Sequence, residues 1–152
     1  MFQFNNLKSS LFSIHFEMRQ YGWAALHFNC DGVNVLVDLS DVFDPFQDLV
    51  IWGWRIQQNI LPALINIDEE GHITTIIAKE FHENTLSIQF KGKNSNHTFK
   101  VDKMDFCHAL KQEIKRFFNE EFNKNEWEEM NPERNQPYCC IKDWVLNHNW
   151  IK

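Results

Sequence analysis

Apolar and polar residues alternate strictly from Phe12 to Met18. Phe12, Ile14, Phe16 and Met18 lie on one face, and Ser13, His15 and Glu17 on the other, with Arg19 continuing the polar series. A period of two with one apolar face predicts a half-buried strand. Gln20-Tyr21-Gly22 then reads as a three-residue hairpin loop, in which Gly22 is free to take a left-handed conformation. A loop of that length pairs 14 with 28, 16 with 26 and 18 with 24, so Phe28, Leu26 and Ala24 join the core face.

Asp31-Gly32 is a two-residue signal for a type I′ turn. Such a turn switches the parity of the core positions, and the sequence switches with it. Even positions Leu26 and Phe28 give way to odd positions Val33, Val35, Val37 and Leu39. Two turn lengths and two parities agree, which predicts an antiparallel three-stranded meander with Phe28 between Ile14 and Val35.

Asp44-Pro45 opens a helix, with Asp44 as the capping residue and Pro45 in the first turn. Phe46, Leu49, Val50, Gly53 and Ile56 or Ile60 follow at helical spacing, and Leu61-Pro62 ends the element. Strands are predicted over Ala63–Asp68 and His72–Lys79, around the turn Glu69-Glu70-Gly71. Both are apolar on two faces, which predicts central strands covered on both sides. Leu86, Ile88 and Phe90 pair across Gly92–Asn96 with His97, Phe99 and Val101. Asp102 caps a long helix whose stripe is Phe106 or Cys107, Leu110, Ile114, Phe117, Phe118 and Phe122. Asn123–Pro137 reads as a charged loop around Trp127, and Ile141, Trp144 and Val145 as a short last helix. The expectation is one α+β domain over residues 1–152. It has an antiparallel sheet of about six to seven strands, in the order βββαββββα, with helices packed on it.

Composition agrees with that reading: 152 residues, 43% hydrophobic and 24% charged, as in a soluble globular domain. No apolar run approaches the ~20 residues of a membrane span, and the start lacks the pattern of a signal peptide. The 4 cysteines (Cys30, Cys107, Cys139 and Cys140) have no C-x-x-C spacing. Reduced thiols in a cytoplasm are therefore expected.

Charge changes the picture more. Between Asp31 and Glu70 lie Asp31, Asp38, Asp41, Asp44, Asp48, Asp68, Glu69 and Glu70 against one base, Arg55, for a local net charge of −7 in a chain of −6. A local field of that sign attracts a basic partner and repels nucleic acid. Asp41, Asp44 and Asp48 sit at a strand-to-helix junction, where helix capping explains only one or two of the five aspartates between 31 and 48. Of the two indoles in Trp52-Gly53-Trp54-Arg55, one must lie off the core, where Arg55 would stack on it. An exposed tryptophan is a candidate interface anchor. The expected partner-binding residues are Asp41, Asp44, Asp48, Trp54, Asp68, Glu69 and Glu70.

Chemistry has one candidate. The hairpin register puts His15 opposite His27, Cβ atoms ~5 Å apart, with Glu17 beside them and Asp38 one strand over. That set would suit a metal or an acid–base pair, yet it lacks the further ligands and orienting groups that a site needs. No phosphate-binding glycine motif, metalloprotease motif or nucleophile elbow is present. Neither an enzyme nor a bound cofactor is expected.

The run Ser13-Ile14-His15-Phe16-Glu17-Met18-Arg19-Gln20-Tyr21-Gly22-Trp23 resembles the opening of a family of small, largely uncharacterised bacterial α+β proteins. The resemblance continues through Ser40, the apolar helix, the turn at Asp68-Glu69-Glu70, the helix from Phe106 to Phe118 and Trp127. Proteins of this kind are similar in size and character to immunity proteins of contact-dependent growth inhibition and other polymorphic toxin systems. What the resemblance and the charge together imply is a cytoplasmic protein that binds a basic cognate toxin, most readily a nuclease. Direct binding to nucleic acid or to a membrane is not implied. A small enzyme or metal-binding protein centred on His15, His27 and Glu17 is the alternative.

Overall fold

A computed structural model describes residues 10–93, 95–127 and 141–152. Seven strands and four helices follow the order β1 (Phe12–Met18), β2 (Trp23–Cys30), β3 (Val33–Ser40), α1 (Phe46–Gln57), β4 (Ala63–Asp68), β5 (Ile73–His82), β6 (Thr85–Lys91), β7 (Asn96–Asp102), α2 (Lys103–Arg116), α3 (Lys124–Trp127) and α4 (Ile141–Asn147). A π-helical turn, Phe117–Glu121, continues α2. Cys139, Cys140 and most of the charged segment after Trp127 lie outside the described residues.

The meander has the predicted register. Ile14 pairs with Phe28, Phe16 with Leu26 and Met18 with Ala24, while Phe28 pairs with Val35 across the next turn. Both turns use the left-handed region: φ is 80° at Gly22, and 53° and 77° at Asp31 and Gly32.

The expectation of one sheet fails. There are two antiparallel sheets, β1-β2-β3 and β4-β5-β6-β7. They approach at two places without forming a ladder. Ser10 N–H donates to Lys100 O at one place (2.8 Å), and Asp38 N–H donates to Glu69 Oε1 at the other (2.8 Å). A side-chain carboxylate thus stands where a continuous sheet would offer a backbone carbonyl. The helical content is also richer than βββαββββα, with the π turn and α3 following α2, while α4 falls where the short last helix was expected.

Strands β4 and β5 are not covered on both sides. Burial alternates along β4, and β4 is an edge strand. Leu64 and Ile73 remain 52% and 54% exposed on the outer face. β5 does sit centrally, between β4 and β6, but the outer face of both strands lacks a covering layer, so the two-sided apolar pattern reflects an exposed apolar surface.

One hydrophobic cluster joins both sheets to α1, α2 and α4. Phe28 bridges the sheets, with ring centroids 5.2 Å from Phe90 and 5.3 Å from Phe99. Phe46 forms a second knot with Phe118 at 4.9 Å, Phe117 at 5.5 Å and Trp127 at 5.4 Å. Trp127, expected in a loop, is fully buried on α3. Gly53 lets Trp150 approach α1, since a Cβ there would overlap the Trp150 ring.

The outer edge of β1 is closed by side chains rather than by a strand. Phe16 N–H donates to Glu113 Oε2 (2.7 Å), Met18 N–H donates to Glu121 Oε2 (2.6 Å), and Arg116 donates to Phe16 O (2.7 Å). Arg116 also binds both oxygens of Glu113 and reaches Glu121. These bonds push its pKa still higher, so the guanidinium is always charged. In an uninterrupted α-helix the partner one turn on would be Glu120. The π turn inserts one residue, closed by Phe122 N–H to Phe117 O (2.7 Å), and brings Glu121 to that position instead.

Replacing Arg116 by Met leaves two carboxylates together on a strand edge and is expected to cost about 2–4 kcal/mol in urea denaturation. Glu121→Ala is expected to cost about 1–2 kcal/mol, whereas exposed Glu120→Ala stays within about 0.5 kcal/mol. Equal effects at 120 and 121 would contradict the π-turn register.

Candidate functional site

The expected acidic surface is partly turned inward. Asp41 is 6% exposed and lies beneath Gly22, whose missing side chain leaves room for the carboxylate. Asp44 is not the capping position of α1, which falls on Pro45. Its carboxylate instead accepts from Phe46 N–H and from the Trp127 indole, both at 2.9 Å. Glu69 is 7% exposed and accepts from Asp38 N–H and Thr74 Oγ1, with His72 Nε2 2.8 Å from its carboxylate. Three of the seven expected residues therefore hold the fold together.

The others stay on the surface, though not all free. Asp68 caps its own turn through Glu70 N–H (2.9 Å), and Glu70 accepts from Ser40 Oγ (2.5 Å). Neither carboxylate forms an ion pair among the described residues. Asp48 is exposed in the first turn of α1, where negative charge complements the helix dipole.

The two tryptophans divide as expected. Trp52 is buried and its indole donates to Ala63 O (2.9 Å), tying α1 to the start of β4. Trp54 is 38% exposed. Arg55 does not stack on it, because consecutive residues on a helix point about 100° apart.

Around Trp54 the structure builds a surface that sequence reasoning named only in part. A depression of about 530 Å³ is lined by Ile51, Trp54, Asn147, His148 and Asn149. A groove of about 370 Å³ runs between α1 and β4, lined by Asp48, Ile51, Arg55, Leu64 and Asn66 among others. Ile51 belongs to both. Two signals pointed there: Ile51 lies outside the α1 core stripe, and Leu64 lies out of phase with Ala63, Ile65 and Ile67. The contribution of residues 147–149 had no sequence signal, because it depends on how α4 docks on α1.

The same groove meets an unpartnered strand edge. Glu69 N–H donates to His72 O, so Glu69 and His72 are a hydrogen-bonded pair. By alternation the backbone groups of Ile67 and Ile65 also face β5, and those of Leu64, Asn66 and Asp68 face away from it. No strand pairs with that edge among the described residues.

The histidine face has the register derived above, with His15 opposite His27 and ring centroids 6.1 Å apart. Each ring is held by a carboxylate: His15 Nδ1 lies 3.4 Å from Glu113, and His27 Nε2 3.2 Å from Glu17. Arg19 links Glu17 to Asp38, with its Nη1 3.0 Å from Asp38. His27, Glu17, Arg19 and Asp38 thus form one chain across the sheet, with the His15–Glu113 pair beside it. Among the described residues no three ligating side chains converge to hold a metal. The His27 hydrogen bond, ahead of the opposing desolvation and the charge of Arg19, holds the Glu17 carboxyl below its ordinary range.

Compared with family models, curated proteins and solved structures, the chain matches none. No helix among the described residues is long and apolar enough to cross a membrane.

A depressed carboxyl pKa stabilises the fold above the unfolded value, and that stabilisation is lost as pH falls through the folded value. The Glu17 side-chain carbon is expected to titrate below the ordinary glutamate range by NMR, and to move back up in His27→Ala. Metal analysis of untagged protein is expected to find substoichiometric zinc, nickel and iron. Stoichiometric metal that vanishes in the His15→Ala, His27→Ala double variant would establish a metal site there.

Proposed function

We propose that the protein is an immunity-type binding protein, which neutralises a basic cognate toxin domain by occupying the toxin's working surface. The observation that carries this reading is the coincidence of exposed apolar anchors with local negative charge. Ile51, Trp54 and Leu64 are 37%, 38% and 52% exposed along α1 and β4, and Asp48 stands beside them. They belong to the segment whose net charge is −7.

The two components have different roles in binding. Aromatic and aliphatic anchors in a depression supply most of the energy that resists dissociation. Carboxylates on the surrounding surface steer encounter and raise the association rate, an effect that falls with salt. A nuclease is the toxin class that best matches this chemistry, since its substrate groove is built to take phosphate. Asp48, Asp68 and Glu70 would then stand where the nucleic-acid backbone otherwise lies.

The test first reads the neighbouring gene, where a secreted toxin is expected; with its toxin domain purified, association and dissociation are followed by surface plasmon resonance. Asp48→Lys with Asp68→Lys is expected to slow association about tenfold at low salt and to flatten its salt dependence. Trp54→Ala is expected to act on dissociation instead, weakening affinity by about 2 kcal/mol, near thirtyfold. Glu69 is left intact, because its carboxylate is internal. Unchanged kinetics in both variants, with thermal stability preserved, would place the contact elsewhere. Tight binding of the free protein to RNA or DNA at physiological salt would contradict the electrostatic argument.

A further inference from the structure

An open cavity of about 390 Å³ lies between the end of α1 and the outward face of α2, lined by Gln57, Lys103, Met104, Cys107, His108 and Lys111. Its polar lining includes two lysines and no carboxylate, with Asp102 at the head of α2 near enough to act on Cys107. Lys103 and Lys111 are eight positions apart, about 12 Å along the helix axis, with Cys107 at the midpoint. Lys103 Nζ hydrogen-bonds Asn59 Oδ1 (3.2 Å), and Lys111 Nζ lies 5.4 Å from the Trp150 ring centroid. Neither ammonium forms an ion pair among the described residues. Gln57 accepts the Trp150 indole N–H through Oε1, which leaves its amide N–H groups to donate.

Two features set this cavity apart from an ordinary solvated lysine face. Lys103 opens α2, where a cation opposes the helix dipole, so its position is locally unfavourable to the helix. Met104 is 74% exposed at the cavity wall and adds apolar surface beside the charges. Burial pushes the Cys107 thiol up to about 11, with Lys103 and Lys111 pulling it down and Asp102 raising it. The thiol stays protonated and forms a wall, not a nucleophile.

We propose that this cavity binds a small organic anion, whose carboxylate or phosphate group lies between Lys103 and Lys111 and whose apolar body rests on Met104. Gln57 and His108 supply further donors at the rim. The site is independent of the toxin-binding reading and uses different residues.

The probes are phenyl phosphate, benzoate, inorganic phosphate and phenol, titrated into isotope-labelled full-length protein and followed by amide NMR shifts. Saturable shifts are expected at residues 104, 107, 108 and 111. Phenyl phosphate or benzoate should bind at least tenfold more tightly than phenol, and phenyl phosphate more tightly than inorganic phosphate. The two anions distinguish a phosphate site from a carboxylate site. Lys103→Gln and Lys111→Gln should each weaken binding about tenfold, whereas Lys115→Gln on the same helix should not. Lys111→Arg keeps the charge beside Trp150 and should retain binding, which guards against loss through misfolding. Shifts that do not saturate, or an equal loss in Lys115→Gln, would reduce the cavity to a diffuse basic face and overturn the proposal.

Discussion

The pairing of Arg116 with the edge of β1 is the constraint on which the rest of the arrangement depends. One guanidinium holds Glu113 and Glu121, and the three side chains satisfy backbone groups of Phe16 and Met18. An edge strand left open is a template for pairing with another chain. Here the polar side of α2 closes it while the apolar side enters the core. The helix axis is thereby fixed relative to the meander, and Phe106, Leu110, Ile114 and Phe117 are aimed at the ring cluster. A buried or half-buried ion pair is weak evidence for stability by itself, but it is strong in selecting one geometry over others.

Carboxylates recur at the sheet margins. Glu113 and Glu121 close β1, Glu126 accepts from Tyr21 N–H at the hairpin tip, and Glu69 receives the outward amide of Asp38 on β3. The acidic residues therefore have two roles that sequence alone does not separate. Some replace missing ladder partners inside the fold, and others, such as Asp48, shape the outside field. On the proposed reading, the surface left for a partner is narrower than the −7 segment suggests, and it is defined more by Ile51, Trp54 and Leu64 than by charge.

What was legible in the chain was local. Turn length and parity determined the register of β1, β2 and β3, because a one-residue slip would turn Phe28 and Leu26 out of the core. Asp102 was recognisable as a cap and does accept from Asp105 N–H (2.9 Å). What was not legible depended on distant partners. The split between β3 and β4 rests on Glu69 reaching Asp38 across 31 positions, and the burial of Trp127 rests on Asp44 at a separation of 83. Leu64 and Ile73 look like core residues by composition, and the uncovered outer face of β4 and β5 is what leaves them at the surface. Of the candidate site, Asp48 and Trp54 were visible in the sequence, whereas Asn147, His148 and Asn149 enter through helix docking.

The closure of β1 also sets an order of events as the chain is made. The meander is complete by Ser40 and held by nearest-neighbour pairing, so it can form early. Its outer edge, however, waits for residues 97 to 103 positions downstream. At ribosomal speeds of about 5–20 residues per second, that is a gap of several seconds. Throughout it, a flat strand bearing Ile14, Phe16 and Met18 stands open to its neighbours on the polysome. Ser13, His15, Glu17 and Arg19, on the opposite face, then act as temporary guards, their charge and polarity discouraging pairing between nascent chains until α2 arrives.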